Sequence, residues 1–413
     1  MKKTWMIGLW VAIGAVTAFA QASALRGSIE KTGSDKSSLD WSAYQLGPGQ
    51  LDRSFMETLK LNLTLSGCFV HKQGGLAQYR MVGRAVADGA AMHVDISAVD
   101  PTNDVAFGKS YQHSATPATV RVLAQQIADE MLEALKRQKG VARTKIAMIG
   151  TASGKKELYV SDADGKGVIQ VTSDKTTSLS PDWGNDRNSI FYTSYLMGFP
   201  DVYRIQLNNG KRDRMANYPG MNTGGALSPD GRSLALVLSK DGKPDIYVKD
   251  LNSNRLSRIT NTPMAPKSSP CWTPDGRELI VVSGHEGRPR LYRVSARGGK
   301  LVPIPTGGVE NVEPDVAADG RIVFSTLMGP DTYGIGVYDA RNNPSLIMIS
   351  PDNDARMGTS YENPSWSPNG RHVICTRKIR YRSSVVLLDT LGDPPIALIE
   401  GGKGDWSSPS WSP

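Results

Sequence analysis

One motif recurs along the second part of the chain, and its spacing constrains the fold more than any other feature. Its fullest form is SPCWTPDGREL, residues 269–279, in which a Pro-Asp-Gly turn precedes an apolar run. Aligned copies of the motif follow one another at intervals of 44, 45, 44, 50 and 45 residues. The residues aligned with the proline of the turn are Asn185, Pro229, Pro274, Ala318, Pro368 and Pro413. A period of this size is typical of solenoids and β-propellers.

Each period contains the same order of strands and turns. After the Asp-Gly turn come two apolar strands, such as ELIVVSG and RLYRVSA, and then a weaker third strand. With the short strand ahead of the turn they make four strands, which is one propeller blade. No stretch between residues 145 and 413 shows sustained helical periodicity. The repeat therefore predicts an all-β propeller over residues 141–413.

The last copy of the motif, SPSWSP (408–413), stops before its strand. The segment RTKIAMIGT (143–151) has the form of that missing strand, so the two segments are expected to share one blade. Five complete blades and one shared blade make a six-bladed ring. Closing the ring in this way removes a free sheet edge that would invite pairing with other chains.

Recurring side chains within the repeat have structural interpretations. Four tryptophans occupy one blade position and are expected to pack between neighbouring blades: Trp183, Trp272, Trp366 and Trp411. The segment DADG (162–165) resembles the start of a calcium loop, but its glycine comes too early and no glutamate closes the loop. We therefore predict that it is a hairpin turn.

The first 24 residues read as a signal peptide. Lys2 and Lys3 precede an uncharged, mostly apolar stretch (6–20), and small residues allow cleavage after Ala22 or Ala24. The stretch is shorter than the roughly 20 residues that a membrane-spanning helix needs. Export as a soluble protein is expected. The three cysteines, Cys68, Cys271 and Cys375, do not describe a disulfide framework and are interpreted as buried apolar fillers.

Residues 25–140 predict a small α/β domain ahead of the propeller. A helix is expected at 51–66, a strand at 91–99, and a long helix after Pro117 that Thr116 caps and Gly140 ends. The long helix should bury one stripe, formed by Val120, Leu123, Ile127, Met131 and Leu135. One face of the strand should be buried, through Met92, Val94, Ile96 and Ala98. Residues 25–50 are rich in Ser, Gly and charge and are interpreted as an exposed arm.

Motifs for chemistry are largely missing from the sequence. GTSYE (358–362) lacks the second glycine of a nucleophile elbow, and GTASGKK (150–156) has the wrong spacing for a phosphate loop. The five histidines show no metal-ligand spacing. The formal charge of +8 comes from dispersed residues without a basic block interleaved with aromatics, so no nucleic-acid site is expected. No catalytic residue, metal site or cofactor is predicted.

Several of these features together resemble the TolB family of the Tol-Pal system. They are the signal peptide, the small domain ending in GVARTKIAMIGT, the segment ELYVSDADG, the repeated WSPDG-like motif and the terminal SPSWSP. The resemblance implies a non-enzymatic periplasmic binding protein, expected to be a monomer, whose propeller holds the peptidoglycan-associated lipoprotein Pal. It also implies that the N-terminal arm engages the inner-membrane protein TolA, and that the system maintains outer-membrane integrity and supports constriction at cell division.

The partner site is expected at one mouth of the propeller channel. The connections from the outer strand of one blade to the inner strand of the next converge at one end of the ring. Their tips supply the candidate protein-binding residues Met221, Asn222, Gly224, Ser268, Asn311 and Glu362. By the resemblance, Met221, Gly224 and Ser268 match the part of the family that meets Pal.

Two other classes of function remain open from the sequence. One is a hydrolase of the prolyl-oligopeptidase type, which would need an α/β-hydrolase domain for which no residues remain. The other is a periplasmic propeller that binds a small ligand or glycan in its channel. Carboxylates or aromatic side chains converging on the axis would favour the latter.

Overall fold

A computed structural model describes the backbone of residues 26–28 and the whole of residues 36–262, 265–341, 346–351, 358–402 and 404–413. The predicted signal peptide lies outside these residues. The chain divides into two compact units, which are residues 31–146 with 160–169, and residues 1–30 with 147–159 and 170–413. No helix in the described part of the chain has the length and apolarity needed to cross a membrane.

The first described strand, β1 (Arg26–Ser28), belongs to the unit that holds the propeller. It pairs in parallel with the outer strand Leu346–Met348 of one blade. The backbone of these residues is therefore paired with a blade rather than free as an arm. The physical reason is that an outer strand offers unpaired backbone N–H and C=O groups, which a passing extended segment can use.

The smaller unit contains a mixed sheet and two helices. Its elements, in chain order, are β2 (Ser37–Asp40), β3 (Tyr44–Leu46), α1 (Gln50–Leu65), β4 (Phe69–Lys72), β5 (Tyr79–Asp88), β6 (Ala91–Val99), β7 (Val105–Ser114) and α2 (Pro117–Lys136). The main sheet has the order β4-β2-β5-β6-β7, and β3 pairs with β5. The two helices and the inner face of the sheet share one apolar core.

Most local predictions for this unit are confirmed. Strand β6 spans the predicted residues with its predicted face buried, and Thr116 caps α2 by accepting a 3.3 Å hydrogen bond from the amide of Thr119. The predicted end at Gly140 is wrong, because Arg137 adopts a left-handed φ of 53° and stops the helix at Lys136. Four members of the predicted stripe are fully buried, and Leu135 is half-buried against the same core.

The prediction of an exposed arm is wrong for the strand β2. This strand lies between β4 and β5, and the side chain of Leu39 is completely buried. The segment is only four residues long and contains a single aliphatic side chain. It is therefore too short to show the alternation by which a half-buried strand is recognised.

The remaining strands form six blades. In chain order they are β8 (Lys145–Gly150), β9 (Glu157–Asp162), β10 (Ile169–Gln170), β11 (Ser178–Trp183), β12 (Ser189–Ser194), β13 (Asp201–Gln206), β14 (Arg212–Ala216), β15 (Asn222–Leu227), β16 (Ser233–Leu238), β17 (Asp245–Asp250), β18 (Leu256–Arg258), β19 (Lys267–Trp272), β20 (Glu278–Ser283), β21 (Arg290–Ser295), β22 (Val302–Pro303), β23 (Asn311–Val316), β24 (Ile322–Gly329), β25 (Thr332–Tyr338), β26 (Leu346–Met348), β27 (Thr359–Trp366), β28 (His372–Ile379), β29 (Arg382–Asp389), β30 (Ile396–Ile399) and β31 (Trp406–Trp411).

Blade 1 combines both ends of the repeat region, as predicted. From the inner strand outward its order is β31-β8-β9-β10, and blades 2 to 6 take four consecutive strands each, beginning at β11, β15, β19, β23 and β27. The amide of Thr151 donates a 3.0 Å hydrogen bond to the carbonyl of Asp405, and the amide of Asp405 donates a 2.8 Å bond to the hydroxyl of Thr151. The last strand thus closes the ring, which has six blades.

The recurring tryptophans pack between blades, which confirms the prediction. All four are at least nine-tenths buried. The indole N–H of Trp183 donates a 2.9 Å hydrogen bond to the carbonyl of Ser410 in the preceding blade, and Trp272 makes the same bond to Ala226. The residues DADG form a hairpin turn, in which the amide of Gly165 bonds the carbonyl of Asp162 at 2.9 Å.

Candidate functional site: the channel and its mouth

The inner strand of every blade carries a bulge at the same position. The last six residues of each inner strand are here called its motif, and the third residue of each motif has a left-handed φ between 48° and 76°. These residues are Ser180, Gly224, Ser269, Glu313, Asn363 and Ser408. The strand register shifts at this point in blades 2 to 6. Except in blade 3, a proline follows, which cannot donate to the ladder and is tolerated at a bulge. The bulges turn the third to fifth side chains toward the axis.

These side chains line a channel with a cavity of about 410 Å³. Most of the lining residues are small, with serine and proline predominating. The lining also includes three carboxylates and a thiol, namely Asp182, Glu313, Asp315 and Cys271. A left-handed non-glycine residue costs roughly 1 kcal/mol. Repeating that conformation around the ring indicates that packing between the blades holds the bulges in place.

Two of the carboxylates come from opposite sides of the ring. Asp182 lies in blade 2 and Asp315 in blade 5. Burial raises the pKa of Asp182 to about 7, with a further contribution from the charge of Asp315, and burial raises the pKa of Asp315 to about 6. Both side chains remain half-buried because solvent enters the channel. The pair therefore lies deep in the molecule and can take up or release protons near neutral pH.

The third carboxylate links neighbouring blades. Glu313 accepts hydrogen bonds of 2.8 Å from the amide of Asn363 and 2.9 Å from the hydroxyl of Ser325. Burial raises its pKa. Asp315 acts similarly, accepting a 2.7 Å bond from the amide of Trp366. No group of three or more histidine, cysteine or carboxylate side chains in the described residues has an arrangement that could hold a metal ion.

The prediction that all three cysteines are buried apolar fillers is wrong for Cys271. Cys68 and Cys375 are buried thiols, as expected of apolar fillers, whereas Cys271 is half-buried and lines the channel. Its place as the fifth residue of the blade 4 motif directs it to the axis. Burial raises the pKa of this thiol well above its ordinary value, so the thiol stays protonated.

The six predicted binding residues fall into four groups. Gly224 and Ser268 line the channel, and Ser268 is exposed at its mouth. Glu362 is half-buried, next to the ammonium of Lys378, and accepts a 2.9 Å hydrogen bond from the hydroxyl of Ser360. Met221 is half-buried against the core of blades 3 and 4.

Asn222 and Asn311 form the fourth group and have structural roles. Both are buried, and their side-chain amides hold the preceding connection through bonds to the carbonyls of Tyr218, at 2.8 Å, and Gly307, at 2.7 Å. They are the first residues of their motifs, and the first position faces the interior of the blade. The sequence alone placed both asparagines at the tips of the connections between blades. It did not reveal the bulge two residues later, which reverses the alternation of buried and exposed side chains.

The sequence analysis missed a second set of residues at the same end of the ring. The connections between the second and third strands of each blade also lie at the mouth, because the strands are antiparallel. In blade 2 this connection exposes Leu196, Met197 and Phe199, and in blade 6 it exposes Ile379 and Tyr381. The sequence did contain a signal for the exposed residues of blade 2. Its connection, YLMGFP (195–200), is mostly apolar, whereas the same connection in other blades has lysine, aspartate or glycine.

The fold and the channel define the protein as a closed six-bladed propeller with an axial channel that carries three carboxylates. A family model described as "TolB beta propeller domain" matches residues 132–413. The Tol-Pal system protein TolB of Francisella tularensis subsp. tularensis strain WY96-3418 is 31% identical over 308 residues, covering 71% of this chain and 69% of that protein. The homologous protein of subsp. mediasiatica strain FSC147 shows the same identity and coverage.

A solved structure supports the same fold. The crystal structure of TolB from Acinetobacter baumannii matches with a TM-score of 0.79 and 23% identity, covering 92% of this chain and 97% of that chain. That likeness concerns the architecture, including the small N-terminal α/β region. The extent of the family match and the identity to the Francisella proteins show that this chain belongs to the TolB family of Tol-Pal system proteins.

Proposed function

We propose that this protein is a non-enzymatic periplasmic component of the Tol-Pal system that binds the peptidoglycan-associated lipoprotein Pal at the mouth of its propeller. In this role it maintains outer-membrane integrity and supports envelope constriction at cell division. The observation that carries the proposal is membership of the TolB family, through relatives named for the Tol-Pal system. The rigid ring, with a concave mouth built from several connections, is the kind of surface on which propellers bind proteins.

The second residue of each inner-strand motif marks the mouth. These six residues, here called the mouth ring, are Leu179, Thr223, Ser268, Val312, Glu362 and Ser407. They immediately precede the bulges, and each is at least partly exposed. Of these residues, Thr223 and Ser268 line the channel, so larger side chains at these two positions enter the mouth.

The test is a double substitution, Thr223→Arg and Ser268→Arg. Met221 and Gly224 are left unchanged because Met221 packs against a blade core and Gly224 has a φ of 76°, where any other residue is strained. Isothermal titration calorimetry with the soluble domain of the cognate lipoprotein should show affinity reduced about a hundredfold, since bulk and charge would block a desolvated contact.

The matched control places the same added charge at the opposite end of the ring. Asn252→Arg with Leu391→Arg changes two exposed residues in turns between third and fourth strands. This control should bind as the wild type does. Wild-type protein that shows no binding to the lipoprotein domain would refute the proposed function.

A small-ligand function is the second candidate, because carboxylates do converge on the axis. Asp182, Glu313 and Asp315 line the cavity together with several hydroxyl groups. This arrangement favours a polar ligand over an apolar one. Asp182→Asn with Asp315→Asn would abolish uptake of such a ligand while leaving binding of the lipoprotein domain at the mouth nearly intact.

TolA is proposed as a second partner, through the N-terminal arm. Residues 29–35 lie outside the described part of the chain, and the backbone of Arg26–Ser28 pairs with β26. Deleting residues 25–35 and measuring binding of the periplasmic domain of TolA tests this proposal. Unchanged binding would refute it.

A further inference from the structure

The mouth end of the propeller has one side that differs from the rest. Large apolar side chains are unusually exposed there on two connections between second and third strands. In blade 2, Met197 is 61% and Phe199 is 75% exposed, and in blade 6, Tyr381 is 96% exposed. An aromatic ring left in water at the tip of a connection is typical of a contact surface for another macromolecule.

The blade 6 connection is also paired closer to its tip than those of blades 1 to 4. Its strands β28 and β29 have eight residues each, whereas the corresponding strands of blades 1 to 4 have six. Only Arg380 and Tyr381 join the two strands, where six residues join the corresponding strands of blades 1 to 4. Hydrogen-bonded pairing continues as far as Ile379 and Arg382, so Tyr381 is presented on a rigid hairpin rather than on a loose loop.

Blade 1 lies between these two blades and contributes cations. Lys155 and Lys156 are exposed in its connection between second and third strands, and Lys175 is exposed in the connection to blade 2. Arg380 is exposed beside Tyr381. Within the described chain none of these four side chains forms an ion pair.

The carboxylates on this side already form ion pairs or hydrogen bonds within the chain. Asp174 accepts hydrogen bonds of 2.7 and 2.8 Å from Arg212, Glu400 pairs with Arg377 at 2.8 Å, and Asp405 pairs with Arg382 at 3.5 Å. Glu157 is buried and accepts hydrogen bonds from Thr172 and from the amide of Lys175. Glu362 and Asp201 are paired with Lys378 and Arg214. The uncompensated charge of this side is therefore positive.

We propose that this side of the mouth is the docking surface for an acidic protein surface that also presents apolar groups. The surface, here called the basic rim, consists of Lys155, Lys156, Met197, Phe199, Arg380 and Tyr381. The occupant is the acidic face of the soluble lipoprotein domain, so the inference rests on the proposed function and deepens it. Charge complementarity orients the partner and speeds association. The aromatic side chains lose their water in the complex and so supply most of the binding energy.

The two kinds of contact predict different kinetic effects. Phe199→Ser with Tyr381→Ser removes exposed aromatic rings, and should raise the dissociation rate and weaken binding at least about tenfold. Lys155→Glu with Lys156→Glu reverses charge, and should lower the association rate about tenfold at low salt and flatten its dependence on ionic strength.

Both pairs have matched controls away from the rim. Leu391→Ser removes an exposed apolar side chain from blade 6 at the opposite end, and Lys300→Glu reverses an exposed charge in blade 4 at that end. Melting temperatures of all variants should stay near that of the wild type, because every substituted side chain is exposed.

The experiment is surface plasmon resonance of the full mature chain against the soluble domain of the cognate lipoprotein, at 50 and 300 mM salt. If both rim variants bind more weakly and the controls bind as the wild type does, the result supports the basic rim as the docking surface. If the wild type binds and both rim variants bind equally well, the basic rim is not the docking surface, but the proposed function still holds. An absence of wild-type binding overturns the proposed function and the rim together.

Discussion

The two ends of the propeller are built from different kinds of connection. One end, here called the turn end, holds the Asp-Gly or Asn-Gly turns between the first and second strands. In blades 3 to 6 the arginine that follows the glycine of this turn donates a hydrogen bond from its backbone amide to the side chain of the Asp or Asn that precedes the glycine. The lengths of this bond are 3.1, 3.1, 3.1 and 3.2 Å, in the turns of Asp230, Asp275, Asp319 and Asn369. Backbone hydrogen bonds also recur at the mouth end, from the amides of Asn222, Lys267 and Asn311 to the carbonyls of Pro200, Pro244 and Pro289. The side chains of the mouth connections, however, differ between blades in charge and apolarity.

The turn end also joins the blades to one another. Asn185 donates a 3.0 Å hydrogen bond to the carbonyl of Ser228 in the next blade, and Arg321 donates one to the carbonyl of Gly370. Repetition in the sequence thus marks the part of the ring that is architectural. Variation between blades marks the end that is free to acquire a partner.

The largest effect is expected from opening the ring. Deleting residues 406–413 removes β31 and leaves β8 with an unpaired edge and exposed apolar side chains. We expect a loss on the order of 5 kcal/mol or more in the free energy of unfolding, and largely insoluble protein. Soluble yield and thermal unfolding measured by circular dichroism test this. A truncated chain that melts like the full chain would show that closure contributes little.

A smaller but still large effect is expected from a buried pair at the turn end. Burial raises the pKa of Asp389, but its hydrogen bond with His372 and the charges of His372 and Arg371 outweigh burial and lower the pKa to about 2. Its ionised form therefore contributes stability above the ordinary pKa of an aspartate, on the order of 2 kcal/mol. That contribution is lost as pH falls from about 4 toward 2.

Asp389→Asn should therefore destabilise the protein by about 2 kcal/mol or more at pH 7, and by much less at pH 2.5. Urea unfolding at the two pH values measures the difference. Leu391→Ser, two residues away and exposed, is the control and should change stability by less than about 0.5 kcal/mol. An equal loss at both pH values would mean that packing, and not the charge of Asp389, is responsible.

The smallest effect concerns the channel. Because the pKa values of Asp182 and Asp315 are raised, their ionisation disfavours the folded state as pH rises through the range between about 4 and 7. Asp182→Asn should leave stability nearly unchanged at pH 4 and raise it by about 1 kcal/mol at pH 8, allowing for water in the channel. Thermal melts across this pH range measure the change. If Asp182→Asn were less stable than the wild type at pH 8, the folded protein would need the charged form of the Asp182 carboxylate.

Local patterns predicted much of the architecture. The repeat predicted the four-stranded blades and their closure, because turn residues and strand alternation act over a few neighbouring residues. The cap at Thr116 and the buried stripe of α2 were predicted for the same reason. The end of α2 was not, since Arg137 takes a conformation that glycine usually supplies.

The candidate site was only partly predictable, because it depends on contacts between distant residues. Asp182 and Asp315 line the same cavity only because the ring closes. Arg121 likewise binds Asp162, at 2.7 Å, and Asp164, which the sequence suggested only as part of a turn. The bulge was also hidden, because serine and glutamate, which hold its third position in four of the six blades, give no sign of a left-handed conformation.

Hydrogen exchange measured by mass spectrometry, with and without the soluble lipoprotein domain, tests the difference between the two ends most directly. We predict protection of the mouth connections, above all residues 195–200, 217–224 and 379–382, because a bound partner covers their backbone amides. The Asp-Gly turns should exchange at the same rate in both states. Protection confined to the turn end, with the mouth unchanged, would contradict the account.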